Sequence, residues 1–200
     1  MVENQLRGRG IVDERVLEAM LSVPRHLFVP DDEVDFAYED YPVSIGHGQT
    51  VSQPFIVAYM LQAARLRSMD RVLEIGTGLG YQTALLAKLV KEVYSLEVVQ
   101  KFVETARKKL ETLGCANVQI RHANGFEGFL EKAPYDAIIV SAAPKEVPQT
   151  LIDQLAAGGR MVIPVGLFSQ QLFLVVKHED SVEKRSLVAV RFVPMVDELF

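Results

Sequence analysis

The stretch Arg71-Val72-Leu73-Glu74-Ile75-Gly76-Thr77-Gly78-Leu79-Gly80-Tyr81-Gln82-Thr83-Ala84 joins a short apolar run to a helical pattern through three glycines. The apolar run is typical of a buried strand, and the residues from Ala84 onward fit helical geometry. The glycines let the backbone approach a ligand, and the free N–H groups where the helix begins favour an anionic group. This stretch therefore predicts a strand, a tight turn and a helix that together form a ligand-binding cradle.

The spacing of the glycines separates two kinds of nucleotide-binding pattern. The dinucleotide fingerprint G-x-G-x-x-G would need a glycine at position 81, where this chain has Tyr81. The pattern from Glu74 to Gly80 is instead E-x-G-x-G-x-G, which resembles motif I of the class I methyltransferases, enzymes that bind S-adenosylmethionine (AdoMet). An acidic residue for the ribose hydroxyls is expected about 20 residues further on. Glu97 fits that position, which makes a purely structural glycine turn a weaker alternative, and Tyr81 in place of glycine makes a NAD-dependent dehydrogenase weaker still.

Strand patterns and helical patterns alternate through the rest of the chain. The strand patterns cover residues 71–75, 93–97, 118–122, 135–141, 160–166, 171–178 and 185–193, with helical patterns at 55–63, 98–113 and 147–155. The alternation predicts an α/β fold with a doubly wound, mostly parallel, seven-stranded sheet. The last two strands are joined by a short charged turn, and this short connection predicts an antiparallel C-terminal pair. Right-handed crossovers bring Gly76–Gly80, Glu97, Asn124 and Ser141 to one edge of the sheet, where ligands bind.

The residues before the cradle predict a cover over it. Residues 1–23 fit a helix with Asp13 as its N-cap, and residues 25–42 are irregular and rich in aromatic side chains. Residues 45–54 suggest a polar loop in which Thr50 or Ser52 caps a following helix that has Pro54 in its first turn. The competing interpretation is that this loop carries chemistry beside the cradle.

Composition limits the classes of protein to consider. The chain has 200 residues, of which 49% are hydrophobic and 24% charged, so we expect one domain spanning residues 1–200. The net charge of −5 argues against a nucleic-acid partner, and no apolar run reaches the length of a membrane span. One cysteine, Cys115, fits a reducing cytoplasm, and the four histidines lack metal-ligand spacing. We therefore expect a cytoplasmic monomer with no metal, membrane or nucleic acid bound.

Four segments resemble the protein-L-isoaspartate (D-aspartate) O-methyltransferase family. They are Gly46–Phe55 (GHGQTVSQPF), Pro134–Pro144 (PYDAIIVSAAP), Gly158–Gly166 (GGRMVIPVG) and Arg191–Pro194 (RFVP). The first segment discriminates best, because many methyltransferases share motif I. The resemblance covers nearly the whole chain and implies a Rossmann-like, class I AdoMet-dependent fold. The implied activity is methyl transfer from AdoMet, leaving S-adenosyl-L-homocysteine, to the free α-carboxylate of L-isoaspartyl and D-aspartyl residues in damaged proteins and peptides. Repair then proceeds through a succinimide.

The resemblance also implies roles for individual residues. Ser52 would supply the hydroxyl of the catalytic site, and Glu97 would hold the ribose hydroxyls of AdoMet. The implied cofactor-binding residues are Thr50, Val51, Glu74, Gly76, Thr77, Gly78, Gly80, Tyr81, Gln82, Glu97, Asn124 and Gly125. The family usually has Gly-Asp-Gly where this chain has Ala123-Asn124-Gly125. An asparagine carbonyl can accept a hydrogen bond from the adenine amino group without the added strength of a charge, so we expect weaker AdoMet binding.

The implied reaction makes few chemical demands on the protein. A carboxylate with a pKa of about 4 is already ionised at neutral pH, so no general base is needed. The absence of a His–Asp pair or an activated cysteine therefore does not argue against an enzyme. Two alternatives stay open at this point, a methyltransferase that acts on a small molecule or RNA, and a non-catalytic AdoMet-binding relative. Asn124 is the only feature that favours the second alternative.

Overall fold

The computed structural model describes all 200 residues, and its N-terminal part lies outside the main sheet. The elements there are helix α1 (Glu14–Ser22), strands β1 (Val43–Gly46) and β2 (Gln49–Val51), and helix α2 (Pro54–Ala63). The carboxylate of Asp13 accepts hydrogen bonds from the N–H groups of Arg15 and Val16, which confirms the predicted N-cap of α1. Pro54 lies in the first turn of α2, as predicted.

Three details of this N-terminal part differ from the sequence prediction. Residues 2–9 form short π and 3-10 turns that are separate from α1, because Gly10 adopts a left-handed conformation. The segment before α2 contains the antiparallel hairpin β1–β2 and is not an irregular loop. Neither Thr50 nor Ser52 caps α2, since the N-cap position is occupied by Gln53, whose side chain makes no capping hydrogen bond.

A distant carboxylate supplies the missing cap. Asp40 accepts hydrogen bonds from the N–H of Phe55, at 3.1 Å, and from the side-chain amide of Gln53, at 2.7 Å. Asp40 belongs to the irregular segment that the sequence predicted as a cover. The cover is therefore fastened to the start of α2, immediately after Ser52.

The main sheet has seven strands, which confirms the predicted architecture. The strands are β3 (Arg71–Ile75), β4 (Glu92–Glu97), β5 (Val118–His122), β6 (Tyr135–Val140), β7 (Leu155–Val165), β8 (Gln170–Lys177) and β9 (Val182–Val190), in the spatial order β5-β4-β3-β6-β7-β8-β9. Strands β3 to β7 pair in parallel, and β8 and β9 pair antiparallel. Strand order reverses between β3 and β6, and such a reversal opens a crevice at the carboxyl edge.

Helices cover both faces of this sheet. They are α3 (Tyr81–Leu89), α4 (Gln100–Thr112) and the short α5 (Gln149–Asp153), with α1 and α2. Successive strand residues point to opposite faces, so Val72 belongs to a core of 37 buried residues that includes α1 to α4, while Leu73 belongs to a core of 12 with α5. No helix in the structure combines the length and the apolar character that a membrane span requires.

The chain after β9 returns along the carboxyl edge of the sheet. The N–H of Ala143 donates to the carbonyl of Val193, at 2.8 Å, and the N–H of Met195 donates to the carbonyl of Ala143, at 2.9 Å. Further on, the N–H of Phe200 donates to the carbonyl of Val98, at 2.7 Å. This C-terminal tail, residues 191–200, therefore crosses from β6 to the start of α4 and closes one side of the crevice.

Candidate active site

A cavity of about 820 Å³, counting the part open to solvent, lies at the carboxyl edge of β3, β4 and β6. Its lining comes from segments far apart in the chain. They are the β1–β2 hairpin with Ser52, the glycine turn with the start of α3, the end of β4, the loops after β5 and β6, and the tail. The volume is in the range of small-molecule sites. The cavity thus joins the loops and the Thr50–Ser52 segment that the sequence predicted with a wall formed by the tail, which it did not predict.

Most of the predicted site residues line this cavity. They are Ser52, Thr50, Val51, Gly76, Thr77, Gly78, Tyr81, Gln82, Glu97 and Gly125. Three predicted cofactor-binding residues, Glu74, Gly80 and Asn124, do not line it. Each of these three instead supports the cavity wall from behind or from the side.

Glu74 lies beneath the glycine turn, fully buried. One oxygen of its carboxylate accepts a hydrogen bond from the side-chain amide of Gln82, at 3.1 Å. The other accepts from the hydroxyls of Thr83, at 2.5 Å, and Ser95, at 2.6 Å. Burial raises the pKa of Glu74 to about 7, although these three donors oppose the shift. The side chain therefore joins β3, α3 and β4 under the cavity floor.

Gly80 serves the turn and the packing of two helices. It is the N-cap residue of α3, with a φ of +96°, a backbone conformation that favours glycine. A Cβ at this position would lie 3.3 Å from the Cβ of Ala106 in α4. A larger residue would therefore push α4 away from the start of α3 and disturb the wall that both helices support.

Asn124 caps a short 3-10 turn after β5. Its side-chain carbonyl accepts a hydrogen bond from the N–H of Phe126, at 2.9 Å. The oxygen that we expected to accept from the adenine amino group therefore already has one partner, and only its second lone pair stays free. Gly125, the next residue, does line the cavity.

Glu97 is the buried carboxylate of the cavity. It accepts hydrogen bonds from three backbone N–H groups, those of Gly78 at 2.8 Å, Val98 at 2.9 Å and Val99 at 3.1 Å. Burial raises its pKa, and the three N–H groups oppose that shift. A carboxylate offers about four acceptor sites, so Glu97 keeps capacity for a ligand hydroxyl while its orientation is fixed by the backbone.

Ser52 follows the β1–β2 hairpin and precedes α2. It is half-buried and lines the cavity directly before the first turn of α2. The start of α2 is already capped by the carboxylate of Asp40. The hydroxyl of Ser52 lines the cavity and can donate a hydrogen bond that orients a second carboxylate.

Sequence reasoning missed several residues that shape the site. Asp40, which holds the start of α2, and the tail residues Pro194, Met195 and Val196 were not assigned to it. Ser141 was placed at the correct edge, but its hydrogen bond from the side-chain amide of Gln82, at 2.9 Å, was not foreseen. The Arg-Phe-Val-Pro segment at 191–194 was the one available signal for the tail, since it matches a family segment.

Comparison with known proteins decides the family. The family model described as "Protein-L-isoaspartate(D-aspartate) O-methyltransferase (PCMT)" matches residues 1–199. A Gloeobacter violaceus protein named Protein-L-isoaspartate O-methyltransferase is 48% identical over 200 residues, covering 99% of this chain and 98% of the relative. The Picosynechococcus sp. protein of the same name is 50% identical, covering 98% of this chain and 88% of the relative. The chain belongs to the protein-L-isoaspartate (D-aspartate) O-methyltransferase family.

A solved structure extends this likeness to three dimensions. It is a Plasmodium falciparum protein described as a protein-L-isoaspartate O-methyltransferase, in complex with S-adenosyl-L-homocysteine. It is 30% identical to this chain with a TM-score of 0.85, covering 98% of this chain and 96% of that one. The class I methyltransferase fold and the AdoMet dependence predicted from the sequence are thereby confirmed.

The cavity of this family member fits AdoMet in its chemistry. AdoMet carries ribose hydroxyls, which need acceptors, and Glu97 offers a fixed, buried carboxylate with spare acceptor capacity. It also carries an adenine ring, which needs apolar surface, and Ile75, Leu96 and Val98 line the cavity beside Glu97. The residues present therefore fit both ends of the adenosine group.

The raised pKa of Glu74 predicts a specific pH dependence of stability. The folded protein holds the Glu74 proton more tightly than the unfolded chain does, so its contribution is fully present below about pH 4.5 and is lost as pH rises to about 7. The loss is on the order of 3 kcal/mol in the free energy of unfolding. Glu74→Gln keeps the shape of the side chain and removes this ionisation.

Urea unfolding of the wild type and Glu74→Gln between pH 4.5 and pH 8 tests this prediction. The other titrating groups are common to both proteins and cancel. The stability of the wild type relative to the variant should fall across this range. A difference that stays constant with pH would show that Glu74 does not titrate there.

Proposed function

We propose that this methyltransferase transfers the methyl group of AdoMet to the free α-carboxylate of L-isoaspartyl, and also D-aspartyl, residues in damaged proteins and peptides. The observation that carries the proposal is the placement of Ser52, at the start of α2, and Glu97, at the end of β4, around one cavity. One side suits an adenosine group and the other suits a carboxylate. Membership of the family supports the same activity.

We propose that the cofactor is held by the β4 end and the glycine turn. Glu97 accepts the ribose hydroxyls, while the backbone of Gly76, Thr77 and Gly78 lies against the methionine portion. Bound AdoMet supplies a methyl group that is already activated by its positive sulfonium. The chain's own task is therefore to hold two molecules in line and to exclude water between them.

Ser52 is the proposed positioning group for the acceptor. Its hydroxyl donates a hydrogen bond to one oxygen of the substrate carboxylate, and α2 with its Asp40 cap holds the segment that carries Ser52 in place. The carboxylate is ionised at neutral pH, so no proton has to be removed from it. Orientation of this kind can supply several kcal/mol of the rate enhancement.

The later steps of repair need no further group from the protein. In the methyl ester, the neighbouring backbone nitrogen attacks the ester carbonyl, forms a C–N bond and expels methanol. The resulting succinimide takes up water at either carbonyl, and part of it becomes normal aspartate. The proposed enzyme therefore supplies only the methylation, which it repeats on the part that returns to isoaspartate, and the other steps are intrinsic chemistry.

Two peptides of identical composition test the activity. One contains isoaspartate and the other contains normal aspartate at the same position, and both are incubated with the protein and methyl-labelled AdoMet. We expect base-labile label on the isoaspartyl peptide only. Label on neither peptide, with AdoMet binding shown separately by calorimetry, would contradict the proposed substrate.

Ser52→Ala tests the positioning role of the hydroxyl. We expect kcat on an isoaspartyl peptide to fall by about tenfold to a hundredfold, because the substrate carboxylate loses an orienting donor. The dissociation constant for AdoMet should stay within about twofold of wild type, since Ser52 is proposed to contact the other substrate. Steady-state kinetics and calorimetry measure the two quantities, and unchanged turnover would reject the role.

Glu97→Gln tests the ribose contact. We expect the dissociation constant for S-adenosyl-L-homocysteine to rise by about 10- to 100-fold, because hydrogen bonds to a charged acceptor are lost. Glu111→Gln, on the exposed surface of α4, removes the same charge away from the cavity and should leave binding unchanged. Calorimetry on both variants measures the effect, and an equal change in both would indicate a general charge effect.

Four expectations from the composition of the chain stay predictions. They are a single domain over residues 1–200, a monomeric state, a cytoplasmic location and the lack of a nucleic-acid partner. The negative net charge supports the last of these, and the single Cys115 supports a reducing compartment.

A further inference from the structure

The loop between β7 and β8 presents two exposed apolar side chains at the edge of the sheet that carries the cavity. Phe168 is fully exposed, at 105%, and Leu167 is 55% exposed. They follow the carboxyl end of β7, and β7 runs parallel to β6, so they lie at the edge of the sheet that carries the cavity. Single exposed apolar residues are common, but an adjacent pair at the rim of a site for polypeptides indicates a contact surface.

The first attachment of this loop is to the wall of the cavity formed after β6. The N–H of Gly166 donates to the carbonyl of Pro144, at 3.0 Å, and Ala142, two residues before Pro144, lines the cavity. Gly166 has a φ of +130°, and a Cβ there would collide with the carbonyl oxygen of Ser169. The turn is therefore so tight that glycine is required, and the loop has a fixed exit from β7.

The second attachment is to the tail. The side-chain amide of Gln170 donates to the carbonyl of Phe192, at 3.0 Å, and its carbonyl accepts from the N–H of Phe192, at 2.6 Å. Two residues later, Pro194 begins the tail's part of the cavity wall. The two ends of the loop are thus fixed to both walls, which limits the ordering that binding to Leu167 and Phe168 requires.

We propose that Leu167 and Phe168 bind an apolar side chain of the substrate polypeptide close to its isoaspartyl residue. This inference rests on the proposed function, because it concerns the polypeptide on either side of the methylated group. Apolar side chains are mostly buried in folded proteins. The pair therefore favours isoaspartyl residues in locally unfolded segments, where such side chains are accessible.

The test uses two isoaspartyl peptides of equal length that differ only in their flanking residues, leucine and phenylalanine in one, serine and glutamine in the other. The proteins are the wild type, Phe168→Ser and the control Met69→Ser, which changes a side chain 70% exposed next to the start of β3, at the opposite edge of the sheet. The measurements are kcat/KM for each peptide, the dissociation constant of AdoMet and the sedimentation of each protein.

We expect kcat/KM of the wild type to be about fivefold to tenfold higher for the apolar-flanked peptide, because its KM for that peptide is lower. Phe168→Ser should lose this preference while its kcat/KM for the polar-flanked peptide and its affinity for AdoMet stay unchanged. Met69→Ser should behave as the wild type.

Other results would overturn the inference. Equal kcat/KM of the wild type on both peptides, or an equal loss on both in Phe168→Ser, would overturn it and leave the proposed function intact. A wild-type dimer that becomes monomeric in Phe168→Ser, with the peptide preference unchanged, would assign the pair to a contact between two copies. Methylation of neither peptide by the wild type would overturn the proposed function and this inference with it.

Discussion

The cavity depends on the buried carboxylate of Glu74. A carboxyl group without contact with water is costly unless its oxygens are hydrogen-bonded, and here Gln82, Thr83 and Ser95 provide the donors. Gln82 continues the connection to Ser141 after β6. One side chain thus determines how the glycine turn, α3 and the ends of three strands meet. The position of the turn beside the cavity is therefore fixed by this buried network.

The two halves of the site have different structural origins. The half around Glu97 belongs to the main sheet, and its carboxylate is oriented by three backbone N–H groups. The half around Ser52 belongs to the hairpin and the start of α2, which Asp40 fastens from the cover segment. On the assignment proposed above, the cofactor site is built into the fold and the substrate site is built from additions to it. Such a division would let proteins of one fold methylate different acceptors.

The sequence predicted the sheet well because its strands carry strong local patterns. Buried parallel strands are continuous apolar runs, and the turn at Gly76–Gly80 and the acid at Glu97 have fixed spacing. The hairpin was missed because β1 and β2 are only 4 and 3 residues long. Asp40 and the tail were missed for another reason, since their contacts join residues far apart in sequence and leave no local pattern. The position of Glu74 below the cavity, and not in it, likewise depends on partners from α3 and β4.

The tail that closes the cavity has a consequence for folding order. Val51 and Met195 line the same cavity but lie far apart in the sequence. Bringing such distant segments together costs loop-closure entropy, which the chain recovers only after the intervening strands have paired. The cofactor pocket is therefore expected to be among the last parts to form during refolding. A partly folded chain could hold most of its sheet and still be unable to retain AdoMet, so cofactor binding reports the completion of folding.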